Sequence, residues 1–148
     1  RDSNGATALH IAVAGGDRAM VEALIQNQAS LDPADSNGAR PLHYAAEGGL
    51  ADIADLLLEC KADVEACDGE ENTPLHTAAA LGHASTVATL LHHRASVHSP
   101  DHLGFTPLHH AAAGGFAEAC ALLLDRGADV DASDEDAIRT AAAGGVAR

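Results

Sequence analysis

The stretch DHLGFTPLHHAAAGG, residues 101–115, decides the reading of this chain. It holds a turn, a proline, a leucine, paired histidines and an alanine run. Histidines beside glycines suit an active site as well as a repeating scaffold, and the rest of the chain separates the two. The string returns thirty-three residues earlier as DGEENTPLHTAAALG from Asp68, then as DSNGARPLHYAAEGG from Asp35, then as DSNGATALHIAVAGG from Asp2. A fixed period of this length marks stacked repeats. A histidine present in every copy (His10, His43, His76, His109) is therefore read as architecture, not as a unique catalytic group.

One copy reads physically as follows. Asp-His-Leu-Gly from Asp101 is turn chemistry, because Asp bonds its own backbone and Gly104 tolerates positive φ. Thr106 suits an N-cap and Pro107 the first helical position. Leu108, Ala111 and Ala112 then share one face at helical spacing, and Gly114 and Gly115 end this short helix. A second helix turns Ala119, Cys120, Leu122, Leu123 and Phe116 inward and ends at Gly127, a left-handed cap. Neither helix buries its apolar face alone; stacked neighbours do.

The period, together with TPLHHAA, LLLDRGADVDA and the leading Asp, resembles the ankyrin repeat. The resemblance covers residues 1–148 as one domain: full repeats 2–34, 35–67, 68–100 and 101–133, and a partial copy 134–148. It implies an all-α solenoid of helix-turn-helix units with projecting β-hairpin turns, and short helices lining a concave face. It also implies that the repeated histidine bonds hairpin backbone and ties neighbouring repeats together.

Some positions depart from the pattern. Gln28, Lys61 and Arg94 stand where Gly127 ends its helix, at about 1 kcal/mol each if they are left-handed. Glu71 replaces the hairpin glycine, so the third turn is expected to distort, with Gly69 taking over. Arg40 replaces the capping Thr and weakens that cap. In the last copy TAAAGG from Thr140 follows HAAAGG from His110 at a spacing of thirty, which puts Ile138 in the place of Leu108 and Asp136 at the N-cap. A clipped terminal cap, an array that continues, and missing residues all fit that spacing. The first repeat carries no obvious polar replacement at Ala8, Leu9 or Ile11, as a terminal cap would.

Composition narrows the function. The chain has no Trp, one Tyr and two Phe, and thin Ala and Leu layers suit closely stacked helices. No apolar run spans a bilayer and no signal peptide opens the sequence, so membrane insertion is not expected. Cys60, Cys67 and Cys120 have no metal-ligand or CxxC spacing, which points to an intracellular, cytoplasmic setting; Cys120 reads as a small buried hydrophobe. The formal net charge of −14 repels phosphate backbones, so nucleic acid is not an expected partner. Acids crowd Asp63–Glu71 and Asp129–Asp136; they serve solubility or face a basic patch on a partner.

No catalytic or cofactor motif appears, and no enzyme, cofactor or metal site is expected. His92, His93, His98 and His102 cluster, but adjacent His92 and His93 point about 100° apart on a helix and do not easily share one ion. The favoured reading is a protein-interaction scaffold or adaptor, expected as a monomer. The alternatives are a spacer between domains and, remotely, a metal or enzymatic protein using the histidine cluster.

By the family resemblance, partner contacts fall on hairpin tips and exposed short-helix positions. These include Asn37, Glu70, Asn72, His102, Leu103 and Phe105 on the tips, and Ile11, Tyr44, Thr77 and His110 on the helices, with Glu47 and Leu81 a turn later. Leu103 and Phe105, beside His102 and His110, are the expected hot spot. Glu70 and Asp134 are expected to flank it and steer a basic partner.

Overall fold

The computed structural model describes residues 1–130. The expected partial copy 134–148, with Asp134, Asp136 and Ile138, lies outside the described residues.

Each copy of the motif folds into a turn and two helices. The short helices are α1 (Ala8–Ala14), α3 (Pro41–Gly48), α5 (Pro74–Ala80) and α7 (Pro107–Gly114). The longer ones are α2 (Arg18–Gln26), α4 (Ala51–Glu59), α6 (Ala84–His92) and α8 (Ala117–Asp125). Short helices pack in the order α1 on α3 on α5 on α7; α4 packs on α6 and α6 on α8; each short helix also packs on its longer partner. This is an all-α, helix-turn-helix solenoid. Among the described residues the turns form no strand, so the expected β-hairpins are hydrogen-bonded turns.

Small and branched apolar residues fill the layers. Leu42, Leu75, Ala45, Ala78 and Val13 are fully buried between short helices, and Ile53, Leu57, Val87 and Leu90 between longer ones. Burying one such leucine contributes about 1.5–3 kcal/mol. The fourth repeat is less enclosed: Ala119 and Leu123 are buried, but Leu108, Cys120, Leu122 and Phe116 are half-buried and Ala112 is exposed. Cys120 is thus not the fully buried hydrophobe expected, because its outward side has no following layer among the described residues.

The leading Asp builds each turn. One carboxylate oxygen of Asp2 accepts the backbone N–H of Asn4 and of Ala6; Asp35, Asp68 and Asp101 repeat the pair of bonds at 2.9–3.0 Å. Such Asx bonding gives the chain a local partner in place of helix or sheet. It also answers the question of the third turn. Glu71 is itself left-handed, at φ 63°, while Gly69 is not, so Gly69 does not take over. Asp68 holds Glu70 and Asn72 as its counterparts hold theirs, and the Glu71 N–H bonds the Asp68 carbonyl at 3.0 Å. Gln28, Lys61 and Arg94 are left-handed too, at φ 66°, 77° and 67°.

Candidate functional site

Rigid turns set edge to edge form the side of the molecule that carries the sequence-selected residues. Ser36 N–H bonds the Asn4 carbonyl at 2.9 Å, Gly69 N–H that of Asn37 at 2.8 Å, and His102 N–H that of Glu70 at 3.1 Å. The repeated histidines lock this row to the short helices. Nδ1 of His10, His43, His76 and His109 accepts the backbone N–H of Thr7, Arg40, Thr73 and Thr106 at 2.8–3.1 Å. Nε2 therefore carries the proton in His10, His43 and His76, and donates to the carbonyls of Ala39, Asn72 and Phe105 at 2.9, 2.8 and 3.0 Å. Each of these three rings reaches into the next repeat and requires the neutral form. Burial pushes the His43 and His76 imidazoles below the ordinary histidine value, against the opposing pull of the carbonyls they bond.

At Arg40 only half of the cap survives. The side chain has no oxygen to accept the helix N–H; its guanidinium instead donates to the Asp32 carbonyl at 2.7 Å.

Two of the expected contact residues are held by a carboxylate that sequence reading did not assign to them. Tyr44 OH donates to Asp35 Oδ2 at 2.6 Å, and His110 Nε2 lies 2.9 Å from Asp101 Oδ2. In both cases the residue nine places after the turn Asp bends back to the oxygen that the turn leaves unused. Burial raises the Tyr44 hydroxyl, and the Asp35 hydrogen bond adds to it, to about 12. Burial alone would raise the Asp35 and Asp101 carboxyls. The bonds from Tyr44 and His110 and from turn N–H groups outweigh it and hold both below the usual range. The signal was present as a nine-residue spacing, but only with an aromatic or imidazole at the second position.

The remaining residues are placed as follows. Leu103 is 61% exposed at the tip of the fourth turn. Phe105, expected to project, is half-buried, its ring centroid 5.8 Å from both His109 and His110. Its carbonyl accepts His76 Nε2–H at 3.0 Å and Asp101 N–H at 2.8 Å. His102 is exposed, and its Nδ1–H donates to the Glu70 carbonyl at 2.9 Å, so His102 and Glu70 are joined. Asn37, Glu47 and Leu81 are exposed; Asn72 is half-buried with Oδ1 enclosed and unpaired. Glu47 lies at the end of α3, where its carbonyl receives His83 Nε2–H at 2.9 Å, a link between repeats that the sequence reading missed. The structure thus brings Phe105 and His110 together, and His102 and Glu70. It leaves Tyr44 engaged with its own turn.

On the longer-helix side His93 Nε2 pairs with Asp55 at 2.7 Å, and the His92 and His93 rings meet edge to face at 5.3 Å. Among the described residues no group of three or more His, Cys, Asp or Glu could hold a metal ion, and no helix is long and apolar enough to cross a membrane.

No curated protein matches the chain. The family described as ankyrin repeats (3 copies) matches residues 1–68 and 53–134. Those spans, the stacked helix pairs and the histidine-linked turns agree: the chain belongs to the ankyrin-repeat family.

Proposed function

We propose that this chain is an adaptor that binds a protein partner through its turn tips and the outer side of its short helices, anchored at the fourth turn. The ankyrin-repeat fold is a non-catalytic scaffold, and its family-level role is protein–protein interaction. Leu103 carries the assignment of the anchor. It is a large apolar side chain, 61% exposed, on a turn fixed by Asp101 and by the bond to Glu70. An exposed anchor on a preformed support loses little freedom on binding, which favours affinity. Leu81, 47% exposed, adds apolar area on the same series of short helices. Glu70 and Glu71 are exposed on the neighbouring turn and suit a partner with a basic patch, with the charge acting chiefly on association rate. The chain is expected to act as a monomer in a reducing, intracellular setting, which suits free thiols at Cys60, Cys67 and Cys120.

A photo-crosslinking residue at position 103, compared with one at exposed Leu124 on α8, tests this in source cells. Partner adducts should form from position 103 and fall severalfold with Leu81→Ser. Adducts from position 124 alone would place the interface on the longer helices. Absence of adducts from both would favour the spacer reading.

A further inference from the structure

Each turn aspartate spends one carboxylate oxygen, Oδ1, on the backbone of its own turn. The other oxygen is open to the residue nine places on. In the second repeat Tyr44 OH donates to Asp35 Oδ2 at 2.6 Å, and in the fourth His110 Nε2 lies 2.9 Å from Asp101 Oδ2. In the third repeat that place holds Thr77, which is half-buried. Threonine is shorter than either ring and does not close the gap: Asp68 Oδ2 accepts no hydrogen bond from any described residue.

The same turn carries a second unpaired acceptor. Asn72 stands four places after the turn aspartate, where the fourth repeat has Phe105. Its backbone is fully used: its N–H donates to Asp68 Oδ1 at 3.0 Å, and its carbonyl accepts Asp68 N–H at 3.0 Å and His43 Nε2–H at 2.8 Å. Its side-chain Oδ1 is enclosed and has no partner. An enclosed acceptor without a donor is costly, and folded proteins carry few of them. The Phe105 ring lies 5.8 Å from that of His110, so side chains in the registers of Asn72 and Thr77 adjoin. The first repeat lacks this combination. Ile11 leaves Asp2 Oδ2 open there, but Asp2 is exposed and Ala6, in the place of Asn72, brings no acceptor.

Charge points the same way. Glu70 and Glu71 are exposed on the third turn, and among the described residues no ion pair includes Asp68, Glu70 or Glu71. An ionised carboxylate and an amide oxygen only accept hydrogen bonds. Their complement is a cation with several N–H donors spread in one plane.

We propose that this notch of the third turn, formed by Asp68 Oδ2, the Asn72 amide and Thr77, is a binding site for an arginine side chain. The guanidinium donates one N–H to Asp68 Oδ2, the oxygen that Tyr44 and His110 occupy in the neighbouring repeats. It donates a second to Asn72 Oδ1, brought outward by rotation of an amide that no bond holds, and Glu70 and Glu71 add attraction. A lysine ammonium is a point charge without that fork. That the arginine belongs to a protein partner rests on the reading of the turn tips as an interface; the His102 N–H joins this turn directly to the one that bears Leu103.

The test titrates Nα-acetyl-arginine amide into the folded chain and follows the carbon-13 resonance of the Asp68 carboxylate and the side-chain amide of Asn72. Saturable shifts at both are expected. Nα-acetyl-citrulline amide, which has the shape without the charge, should bind roughly tenfold more weakly. Thr77→Tyr offers Asp68 the hydroxyl that Tyr44 offers Asp35, and should weaken arginine binding by a similar factor. Asp68→Asn keeps an Oδ1 for the turn and should do the same, which tests the point should Thr77→Tyr alter the fold seen by circular dichroism. Equal binding of the citrulline probe, unchanged arginine binding to folded Asp68→Asn, or shifts spread evenly over the acidic residues would overturn the proposal. The probe is not the partner, so the two readings fail separately: lost adducts from position 103 with arginine binding intact count against the interface alone, and the reverse counts against the arginine site alone.

Discussion

The second repeat, residues 35–67, and the third, residues 68–100, follow one backbone path with different side chains at its critical points. The left-handed turn position is Gly38 at φ 80° in one and Glu71 at φ 63° in the other. The short helix is capped by Thr73 but not by the side chain of Arg40. The longer helix buries Ile53 in one and Thr86, with an unpaired hydroxyl, in the other. What the two share is the turn aspartate, the histidine that reaches the next repeat, and the buried leucine beside it. These three residues hold the path, and the other departures cost stability without redirecting the chain.

Removing one of the shared elements has the largest expected effect. His76→Ala should lower unfolding free energy by roughly 3 kcal/mol, because it leaves the Thr73 N–H without its partner, removes the bond between repeats to the Phe105 carbonyl, which keeps only the Asp101 N–H, and opens a gap. Urea denaturation measures this, and a loss no larger than that of a surface change would show the histidine to be dispensable. The same residue carries an acid response. His43 and His76 have depressed values in the fold, so below the ordinary 6.5 the unfolded chain takes up protons that the folded chain resists. Stability is fully present above that value and is lost as pH falls toward the depressed ones. His76→Ala should flatten this limb. Asp35 and Asp101, also depressed, give a second loss as pH falls below their ordinary 3.8.

A middle-sized effect sharpens the contrast in the longer helices. Thr86→Val keeps the shape and removes an unpaired buried hydroxyl, so the thermal midpoint should rise by the equivalent of about 1–2 kcal/mol. Ile53→Thr should cost about as much, making the second repeat resemble the third. A neutral Thr86→Val would mean that the hydroxyl is satisfied in solution.

The smallest effects lie in the turns and caps. Glu71→Gly should add about 1 kcal/mol, and Lys61→Gly a similar amount, by removing the Cβ penalty of the left-handed region. Gly38→Ala should cost more than Glu71→Gly adds, because its Cβ would fall 2.6 Å from the Gly69 backbone nitrogen. Equal and opposite shifts in denaturation midpoint would show that the close approach relaxes. Arg40→Thr should restore the missing cap, at about 1 kcal/mol or less, since the Asp32 bond is given up.

Much of the molecule was legible in residues alone. The period, Pro at the first helical position of three copies and Gly or polar residues at the ends placed the eight helices among the described residues and the turns between them, because these are local preferences that the copies repeat. The left-handed Gln28, Lys61 and Arg94 were legible in the same way, as residues standing where one copy has glycine. Distances between repeats were not legible. Whether Glu71 would hold its turn depended on the Asp68 carboxylate and on the neighbouring turns, and the sequence expectation that Gly69 would take over failed there. Nor was the packing of the Phe105 ring beside His109 and His110 legible, or the engagement of Tyr44 and His110 by a carboxylate oxygen left over from each turn. Short-range propensities act within one copy and are written there. Exposure at a tip or an outer face is a property of what stacks beside it, and only the assembled layers decide that.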